Sequence, residues 1–451
     1  MAHIRPFRGW RYNDSKIDNI EKMFSPLFDV VSREQLEELY ENPHNSIHLS
    51  VPQSHEAVLE KLNEFKAEGI ISQDPLPAIY IYFQEFSLFG ENRKYVRKGI
   101  VSLVKISEED GGPDSDVVLH EGTISSSVSE RSRLLSQSLL NVAPTHGLYA
   151  DSTFELEALM DTYMEHPMHV YVDYQNVVNK VCVVHDRRDI LKFQEVIARG
   201  QIFLADGHHR LASSIALLKQ AKAAAKETGE ELPHDSMLNY HMMYLSNLHA
   251  DDLRILPIHR VWELSEKTFN PNPMLSKMRE YFDVEEVTFE RKPISLRVQE
   301  HPRSYGFVIG SLQFMLHLKD EIDPLRDIEL DLPDAVKNLD YTILHYFVFE
   351  KVFGIPYWEQ GKNDNVQYIK DAGTALKEAV TFRHKLAFIM QGCSMVQMMD
   401  VCKSGALMPQ KSTYFYPKVV CGLVFASIDD NENNSPFDLS FRLPEAAATA
   451  N

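Results

Sequence analysis

The sequence predicts an α/β (α+β) protein with ample material for a hydrophobic core. Short apolar runs alternate with helical patterns through the middle of the chain, which is typical of a sheet flanked by helices. In the clearest case, the apolar run 202–205 is followed at once by the polar turn DGHHR at 206–210 and then by helical spacing. The chain has 451 residues, of which 44% are hydrophobic and 25% charged, an ordinary composition for a globular protein.

Residues 1–115 are predicted to form an N-terminal α+β segment. Ser32 is suited to cap a helix at 33–40, and residues 56–68 carry apolar side chains on one helical face. Strands are expected in the tyrosine- and phenylalanine-rich run 78–86 and in the apolar run 99–106. The acidic run EEDGGPDSD at 108–116 is predicted to be the loop that ends this segment.

Residues 116–260 are predicted to form the catalytic core. Apolar and β-branched runs indicate strands, and periodic apolar spacing indicates the helices between them. The predicted strands are 117–119, 170–172, 181–184, 201–205, 240–245 and 255–261, and the predicted helices are 129–140, 153–165, 189–199 and 210–227.

Residues 261–430 are predicted to form a C-terminal α+β segment, and 431–451 a loosely ordered tail that is polar and interrupted by proline. Helices are expected at 272–281, 341–352, 370–381 and 396–403, strands at 304–310, 314–318 and 385–391, and a hairpin-like run at 413–426.

Composition narrows the class of function. The first twelve residues lack the apolar stretch of a secretory signal, and no apolar run reaches the eighteen or more residues of a membrane span, so we expect a soluble, cytoplasmic protein. Four cysteines without CxxC spacing favour a reducing compartment. A net charge of −19 repels a nucleic acid at long range and argues against such a partner.

The DGHHR turn is the strongest candidate site. A helix that begins directly after a strand directs its unpaired N–H groups toward the turn, so Gly207, His208 and Arg210 are predicted to bind phosphate there. Asp206 is suited to hold Mg²⁺ and His209 to move a proton. The alternative is that Asp206 only caps the helix and Gly207 only supplies unusual dihedral angles, which leaves His-His-Arg unexplained.

Two further groups of residues precede this turn. Glu121 follows the apolar run 117–119, where a carboxylate can act as general base on a hydroxyl, although a surface glutamate in a loop has the same pattern. Three serines then precede a predicted helix that carries Arg131, a combination that favours an anion. Ser129 is also suited to be a simple helix cap.

The remaining candidates lie toward the C-terminus. His259 and Arg260 follow a third apolar run and are candidates for substrate binding. Two interpretations are open for Lys411, Ser412 and Thr413: they line a polar pocket, or they are side chains on a strand without a binding role. Because Lys411 and Lys418 are seven residues apart, a regular strand would place them on opposite faces. At most one of them can then face the site, and we expect it to be Lys411, because Ser412 and Thr413 supply hydroxyls beside it and Pro409 suggests a strand entrance. Lys411 is thus expected to approach the DGHHR turn and bind phosphate.

These motifs carry a family resemblance. The run ADGHHRLA resembles the signature turn of the ParB/sulfiredoxin-like superfamily, which includes chromosome-partition nucleotide hydrolases, sulfiredoxin and free serine kinases. Over roughly residues 4–425 the chain resembles a large bacterial and archaeal family long described as of unknown function. The matching motifs are IRPFRGWRY (4–12), NPHNSIHLSVP (42–52), PAIYIYFQEF (77–86), LHEGT (119–123), APTHGLY (143–149), ADGHHR (205–210), ILPIHR (255–260), LDYTILH (339–345) and MPQKSTYFYPK (408–418).

The resemblance implies a ParB/sulfiredoxin-like core at 116–260 and a phosphotransferase acting on a small hydroxylated metabolite. Free serine kinases, which use ADP or pyrophosphate, share an Asp-Gly-x-His-Arg turn, so Asp206, His209 and Arg210 match its Asp, His and Arg. Glu121 is the best match to the base that activates the serine hydroxyl. Serine or O-phosphoserine is the expected substrate, in either direction, with ADP, ATP or pyrophosphate as phosphate partner. Two alternatives stay open, a nucleotide-hydrolysing switch and a metabolite-binding regulator without turnover, and the oligomeric state is left open too.

Overall fold

The computed structural model describes residues 1–88, 91–264, 270–287, 292–360, 363–382, 384–409 and 411–433. The chain divides into two compact units. Unit 1 comprises Met1–Leu119, Thr123–Leu253 and Pro417–Asn451, and unit 2 comprises His120–Gly122 and Arg254–Tyr416. The sequence-derived segment boundaries at 115/116 and 260/261 do not coincide with these units. Most of the predicted tail at 431–451 lies outside the described residues.

The strands are short except at the centre of unit 1. They are β1 (Ile4–Arg5), β2 (Trp10–Tyr12), β3 (Ile71–Gln73), β4 (Ile79–Ser87), β5 (Lys94–Lys105), β6 (Val117–Val118), β7 (Leu140–Asn141), β8 (Thr145–Tyr149), β9 (His169–Val172), β10 (Val178–Val184), β11 (Ile202–Asp206), β12 (Tyr240–Asn247), β13 (Arg254–Leu256), β14 (His259–Glu263), β15 (Phe282–Glu286), β16 (Ser304–Ile309), β17 (Leu312–Leu318), β18 (Val366–Ile369), β19 (Lys385–Ile389), β20 (Tyr414–Tyr416) and β21 (Ala426–Ser427).

The α-helices range from single turns to twenty residues. They are α1 (Arg33–Tyr40), α2 (Ile47–Ser50), α3 (His55–Ala67), α4 (Ser125–Ser138), α5 (Glu155–Met164), α6 (Arg187–Ile197), α7 (His208–Glu227), α8 (Asn272–Tyr281), α9 (Ile294–Arg297), α10 (Pro324–Asp327), α11 (Asp334–Lys337), α12 (Asp340–Leu344), α13 (Tyr357–Gln360), α14 (Ala372–Thr381) and α15 (Met395–Ser404). In the described part of the chain, none of them is long and apolar enough to cross a membrane.

Unit 1 is built on a nine-stranded mixed sheet in the order β6-β11-β8-β12-β5-β4-β10-β9, with β1 paired to β5. Strand β11 runs parallel to β6, and β12 runs parallel to β8, while the other pairs are antiparallel. The N-terminal strands β4 and β5 and the later strands β8, β11 and β12 therefore belong to one sheet. The predicted α/β class is confirmed.

The central strand β4 shows why the sequence favours this sheet. Its side chains alternate between two cores, with Tyr80 and Tyr82 in one and Ile79 and Ile81 in the other. All four side chains are fully buried. A strand covered on both faces has no solvent side, so its sequence reads as a continuous apolar run instead of an alternating one. Each such side chain contributes roughly 1.5–3 kcal/mol by leaving water.

Unit 2 contains a six-stranded antiparallel sheet in the order β15-β17-β16-β19-β14-β18 and a separate pair, β13 with β20. Its core includes Val261, Val308 and Ala387 from the sheet and Ala375 and Ala379 from α14. A π-helical segment, His345–Glu350, directly follows α12. The predicted helix 341–352 is therefore only partly α-helical.

Three other predictions differ from the structure. The run 413–426 is not a hairpin, because β20 pairs with β13 and β21 pairs with β7. The predicted strand 255–261 is two strands, since Pro257, which lacks an N–H donor, falls between β13 and β14. Helix α4 begins at Ser125, four residues earlier than predicted, so Ser129 lies inside the helix and is not its cap. The Ser129 hydroxyl donates a hydrogen bond to the Ser125 carbonyl at 2.9 Å.

Candidate functional site

The DGHHR turn has the predicted strand–turn–helix form. Strand β11 ends at Asp206, Gly207 adopts a left-handed φ of 94°, and α7 begins at His208. A Cβ atom on residue 207 would lie 2.6 Å from the Cγ2 of Thr145, so the close approach of β8 requires glycine in addition to the dihedral angle. No side chain caps α7, which excludes the interpretation of Asp206 as a simple helix cap.

Asp206 is the centre of an ion-pair network in unit 1. One carboxylate oxygen pairs with the Lys418 ammonium, and the other lies 3.2 Å from Nη2 of Arg210. The side chains of Lys418, Arg210 and Asp206 are only 6, 12 and 18% exposed. Burial alone would raise the pKa of Asp206, but the charges of Lys418 and Arg210 hold that pKa well below its usual value. Asp206 is therefore ionised at neutral pH.

The backbone around Lys418 is held in place by hydrogen bonds from two buried side chains. Gln84 donates a hydrogen bond from Nε2 to the Lys418 carbonyl at 3.1 Å, and the buried guanidinium of Arg97 donates to the carbonyl of Pro417. Arg97 also donates to Oε1 of Gln84, so the two side chains support each other. The segment that carries Lys418 is thus fixed by side chains from β4 and β5.

Arg210 is also held in place by hydrogen bonds to the backbone. Its Nη1 donates hydrogen bonds to the carbonyls of Pro144 at 2.7 Å and Ala143 at 3.4 Å, in the chain just before β8. Because Nη2 faces Asp206 at the same time, the planar guanidinium has little rotational freedom. A group held in this way is preorganised to bind an anion without a large loss of side-chain entropy.

His146 lies next to Asp206 in the sheet register and is fully buried. Its Nε2 is 2.8 Å from the hydroxyl of Ser246, on β12. Burial, and then the nearby charge of Arg97, lowers the pKa of His146 well below its ordinary value. His146 is therefore a neutral hydrogen-bonding group near Asp206 and not a third cation.

The two histidines of the turn differ in exposure. His208 is buried, whereas His209 is partly exposed. The backbone N–H of Ile124 donates to Nε2 of His209 at 2.9 Å, so this nitrogen carries no proton and the neutral ring carries its proton on Nδ1. That contact joins the start of α4 to the first turn of α7.

Arg131, on α4, is committed to local contacts through its two terminal nitrogens. Nη1 donates to the Ser50 carbonyl at 2.7 Å, and Nη2 pairs with Glu130 at 2.6 Å. Its guanidinium also lies 4.4 Å from the centre of the Phe28 ring. Arg131 and Arg210 both line one cavity of unit 1, so the structure brings these two predicted anion-binding residues together.

The other predicted residues lie in unit 2. Arg260 is completely buried, 4.7 Å from the centre of the Tyr341 ring and 4.9 Å from that of Tyr368. Its Nη2 donates to the Lys411 carbonyl at 3.3 Å. Burial lowers the pKa of Arg260, and Tyr341, Tyr368 and Glu121 act in the opposite direction. Glu121 forms an isolated bridge with Met408 in the same unit.

His259 and Arg260 begin β14 and do not end a strand as predicted. The N–H of Met390 donates to Nδ1 of His259 at 3.1 Å, and burial lowers the pKa of His259 to about 4, so it is neutral at pH 7. The Ser412 hydroxyl donates to the Pro409 carbonyl at 2.6 Å, and Thr413 Oγ1 is 2.9 Å from Nε2 of His120. Ser412 and Thr413 therefore serve local contacts within unit 2.

The prediction that Lys411 and Lys418 lie on opposite faces assumed a regular strand between them, and this assumption was wrong. Only Tyr414–Tyr416 is a strand, and Lys411 lies in a turn with a left-handed φ of 60°, so side-chain alternation does not extend from 411 to 418. Lys411 is exposed, whereas Lys418 is buried and pairs with Asp206. Lys418 was thus missed as a partner of the turn.

A family model described as "Protein of unknown function (DUF1015)" matches residues 4–342. The chain belongs to this family. Among proteins with curated descriptions, none matches it significantly.

Three solved structures are similar over much of their length. A conserved hypothetical protein from Pyrococcus furiosus is 11% identical, with a TM-score of 0.34, and the match covers 71% of this chain and 94% of that one. A free serine kinase in complex with AMP is 12% identical, with a TM-score of 0.34 and coverage of 71 and 91%. C-terminally truncated SbnI from Staphylococcus aureus is 12% identical, with a TM-score of 0.33 and coverage of 69 and 82%.

The predicted Mg²⁺ site on Asp206 can be tested against the side chains around it. Both carboxylate oxygens of Asp206 already face a cation, Lys418 or Arg210. Within the described residues, no group of three or more His, Cys, Asp or Glu side chains is arranged to hold a metal ion. These neighbours do not fit a metal bound directly to Asp206, and we derive no step through such an ion.

Three residues of this network, namely Lys418, Arg97 and His146, were missed in the sequence analysis. His146 stands in the APTHGLY motif, and Lys418 ends the MPQKSTYFYPK motif, so both were visible as parts of the resemblance. Arg97 had no local signal, because its importance comes from its contact with Pro417 more than three hundred residues later.

Proposed function

We propose that this protein is a phosphotransferase that acts on a small hydroxylated metabolite, with free serine or O-phosphoserine as the first candidate. The phosphate partner is ADP, ATP or pyrophosphate, and the reaction runs in either direction, including removal of phosphate from O-phosphoserine. The observation that carries this proposal is the buried Asp206 held between Lys418 and Arg210 at the N-terminus of α7.

This arrangement suits the chemistry of phosphoryl transfer. Phosphate oxygens that approach the start of α7 meet the unpaired N–H groups of its first turn and the positive end of its dipole. Lys418 offers a point charge, and Arg210 a fixed guanidinium charge whose Nη2 faces Asp206. Because the transferring phosphoryl group mainly needs positioning and charge stabilisation, the site requires no covalent nucleophile.

Asp206 has a positioning role in this proposal. While no phosphate is bound, its carboxylate keeps Lys418 and Arg210 close to each other despite their like charge. An incoming phosphate then competes with Asp206 for two cations that are already in place. His209 and His208, in the first turn of α7, are proposed to contact the transferring group.

In the forward reaction the substrate hydroxyl oxygen forms a bond to phosphorus, and the bridging bond to the donor's leaving group breaks. The hydroxyl proton passes to a base, for which Glu121 is the proposed residue on the resemblance to free serine kinases. Mg²⁺ belongs to the proposal only as an ion that the phosphate donor carries on its own oxygens.

The experiment combines the purified chain with Mg²⁺ and serine, and adds ADP, ATP or pyrophosphate in separate samples. O-phosphoserine with and without ADP or phosphate tests the reverse direction, and phosphorus NMR follows each phosphate species. Asp206→Asn removes the central charge at nearly constant shape and is expected to abolish transfer. Asp161→Asn is the matched control, because Asp161 pairs with Lys98 and is 52% exposed.

A new phosphorus resonance that is lost in Asp206→Asn and kept in Asp161→Asn supports the proposal. Full activity in Asp206→Asn contradicts the role of this turn. If serine or a nucleotide binds in calorimetry but no phosphorus signal changes in any sample, the protein is a metabolite-binding regulator and the phosphotransferase proposal is wrong.

A further inference from the structure

A cavity in unit 1 lies against the face of Arg210 that does not contact Asp206. It encloses about 70 Å³ and is formed by α4, the start of α7, β7 with the residues after it, and side chains from β12 and the N-terminal segment. The proposed phosphotransfer chemistry makes no use of this space. Its wall is mainly apolar, but several of its residues carry buried polar atoms.

Four buried polar atoms on residues of the lining have no hydrogen-bond partner within the described part of the chain: Arg131 Nε, Asn141 Nδ2, Arg210 Nε and His241 Nε2. Buried polar groups are normally satisfied, because leaving one unpaired costs its full desolvation energy. Four such atoms on residues around a single cavity therefore indicate that a polar group occupies it.

The donors identify the chemistry of that group. The Nε–H groups of Arg131 and Arg210 and the amide nitrogen Nδ2 of Asn141 can only donate, so they require acceptor oxygens. None of the lining residues is Asp or Glu. Burial lowers the pKa of His241 to about 3, so its ring is neutral and adds no positive charge. Cys421, also in the lining, is a neutral thiol because burial raises its pKa to about 11.

Hydrogen bonds from their terminal nitrogens fix the orientation of both guanidinium groups. The terminal nitrogens of Arg210 are held by Asp206 and by the carbonyls of Ala143 and Pro144. Those of Arg131 are held by the Ser50 carbonyl and by Glu130. Every terminal nitrogen of the two guanidiniums therefore has a protein partner, whereas neither Nε–H has one among the described residues, and both arginines line the same cavity.

The rest of the wall is apolar and limits the size of the ligand. Leu134, Leu135 and Leu140 line it together with Phe28, whose ring is covered by the Arg131 guanidinium at 4.4 Å. A single water needs about 10–15 Å³ of such space, so about 70 Å³ suits a compact molecule of about four to six heavy atoms. The donors need an oxyanion, and the leucines favour a short alkyl chain over a bare inorganic ion.

We propose that this cavity is a binding site for a short aliphatic carboxylate. Its carboxylate oxygens accept hydrogen bonds from Arg131, Arg210 and Asn141, and its alkyl part packs against the leucines. Because Arg210 also contacts Asp206, the ligand and the phosphate-binding turn share one side chain. The site is separate from the proposed phosphotransfer and does not depend on it.

The test measures binding by isothermal titration calorimetry and by saturation-transfer NMR on the full-length protein, without any nucleotide or serine. Butyrate is the probe. Butyramide has the same shape without the charge, and inorganic phosphate has the charge without the alkyl part. We expect butyrate to bind at least tenfold more tightly than either of these two.

Two variants locate the bound ligand. Asn141→Asp keeps the shape and places a carboxylate in the cavity, so it should weaken butyrate binding at least tenfold. Arg131→Gln removes one donor and should also weaken binding. Arg133→Gln is the matched control, because Arg133 lies on the same helix but is 61% exposed, pairs with Glu56 and is absent from the lining.

The proposal is overturned if butyrate does not bind at millimolar concentration, which would mean that water alone fills the cavity. It is equally overturned if butyramide or phosphate binds as well as butyrate, or if Asn141→Asp and Arg131→Gln leave the affinity unchanged. Since Asn141→Asp is nearly isosteric, it keeps the test valid even where Arg131→Gln disturbs folding. Loss of butyrate binding in the Arg133→Gln control would also contradict the assignment.

Discussion

Replacing Lys418 with methionine tests whether the charge on Asp206 is held by tertiary structure in the way described above. Methionine keeps the apolar stem of the lysine and removes only the ammonium group. In the variant, Asp206 remains buried and retains Arg210 at 3.2 Å as its single cationic partner. The environment of the carboxylate therefore changes from two cations to one.

The expected loss follows from the burial of the pair. Removing one partner of a buried ion pair costs about 3–5 kcal/mol when the other charge is left uncompensated. Because Arg210 still compensates Asp206, we expect Lys418→Met to cost about 2–3 kcal/mol. Asp206→Asn should cost a similar amount, since it leaves Lys418 and Arg210 close together without their shared carboxylate. The double variant should lose about 1–3 kcal/mol less than the sum of the two, because the residues are in direct contact.

Hydrogen-exchange mass spectrometry is the assay of choice. Peptides that cover 202–218 report the opening free energy of β11 and the start of α7, whether or not the two units unfold together. The matched control is the more exposed pair of Lys98 and Asp161, whose side chains are 29 and 52% accessible, and for which Lys98→Met and Asp161→Asn should each cost less than about 1 kcal/mol. A loss of less than about 1 kcal/mol in Lys418→Met, or strict additivity in the double variant, would refute the reasoning.

The remaining predictions concern pH, the turn and the proposed activity. Since Lys418 and Arg210 depress the pKa of Asp206 below its unfolded value of about 3.9, the stabilisation is complete above that pH and is lost as the pH falls. Asp206→Asn should therefore lose less stability than the wild type between pH 5 and pH 3, as measured by acid denaturation; equal losses would show that Asp206 does not contribute. Gly207→Ala should destabilise this region by about 1–3 kcal/mol through its positive φ, with a further cost from the contact with Thr145, and an unchanged exchange rate would contradict that. Glu121→Gln should lower turnover on the order of 10²-fold with substrate affinity largely kept, and an unchanged rate would move the base elsewhere. Lys411→Ala tests the sequence-based expectation that Lys411 binds the phosphate donor: it should raise the KM for the donor more than it lowers kcat, and unchanged kinetics would contradict that expectation.

Short-range sequence patterns were sufficient to predict several helices and strands. Ser32 caps α1 as expected for a helix at 33–40, and Gln35 completes a capping box there. The strand–turn–helix at 202–218 was visible because an apolar run, a glycine and helical spacing follow one another within a few residues. Such features depend on near neighbours in the chain, and near neighbours are what a sequence shows directly.

The distant ion-pair partner of Asp206 could not be predicted from such short-range patterns. Lys418 lies 212 residues further along the chain and reaches the turn only because Arg97 and Gln84 hold the backbone at Pro417 and Lys418. The alternation argument that favoured Lys411 assumed a regular strand, whereas the chain turns between the two lysines. A period of two is meaningful only where the hydrogen-bonded ladder is continuous.

The α/β class, most helices and strands, and the residue types of the DGHHR turn could all be predicted from the order of the amino acids. The charges that meet in that turn could not, since ion pairs between distant segments depend on how the sheet orders its strands. The same holds for the division into units. Strand β5, at Lys94–Lys105, pairs with β12 on one side and with β4 on the other, and Pro417–Asn451 returns to that unit after Arg254–Tyr416 of unit 2. Strand pairing is satisfied by backbone hydrogen bonds that any residue except proline can make, so the sequence carries little information about which strands become neighbours.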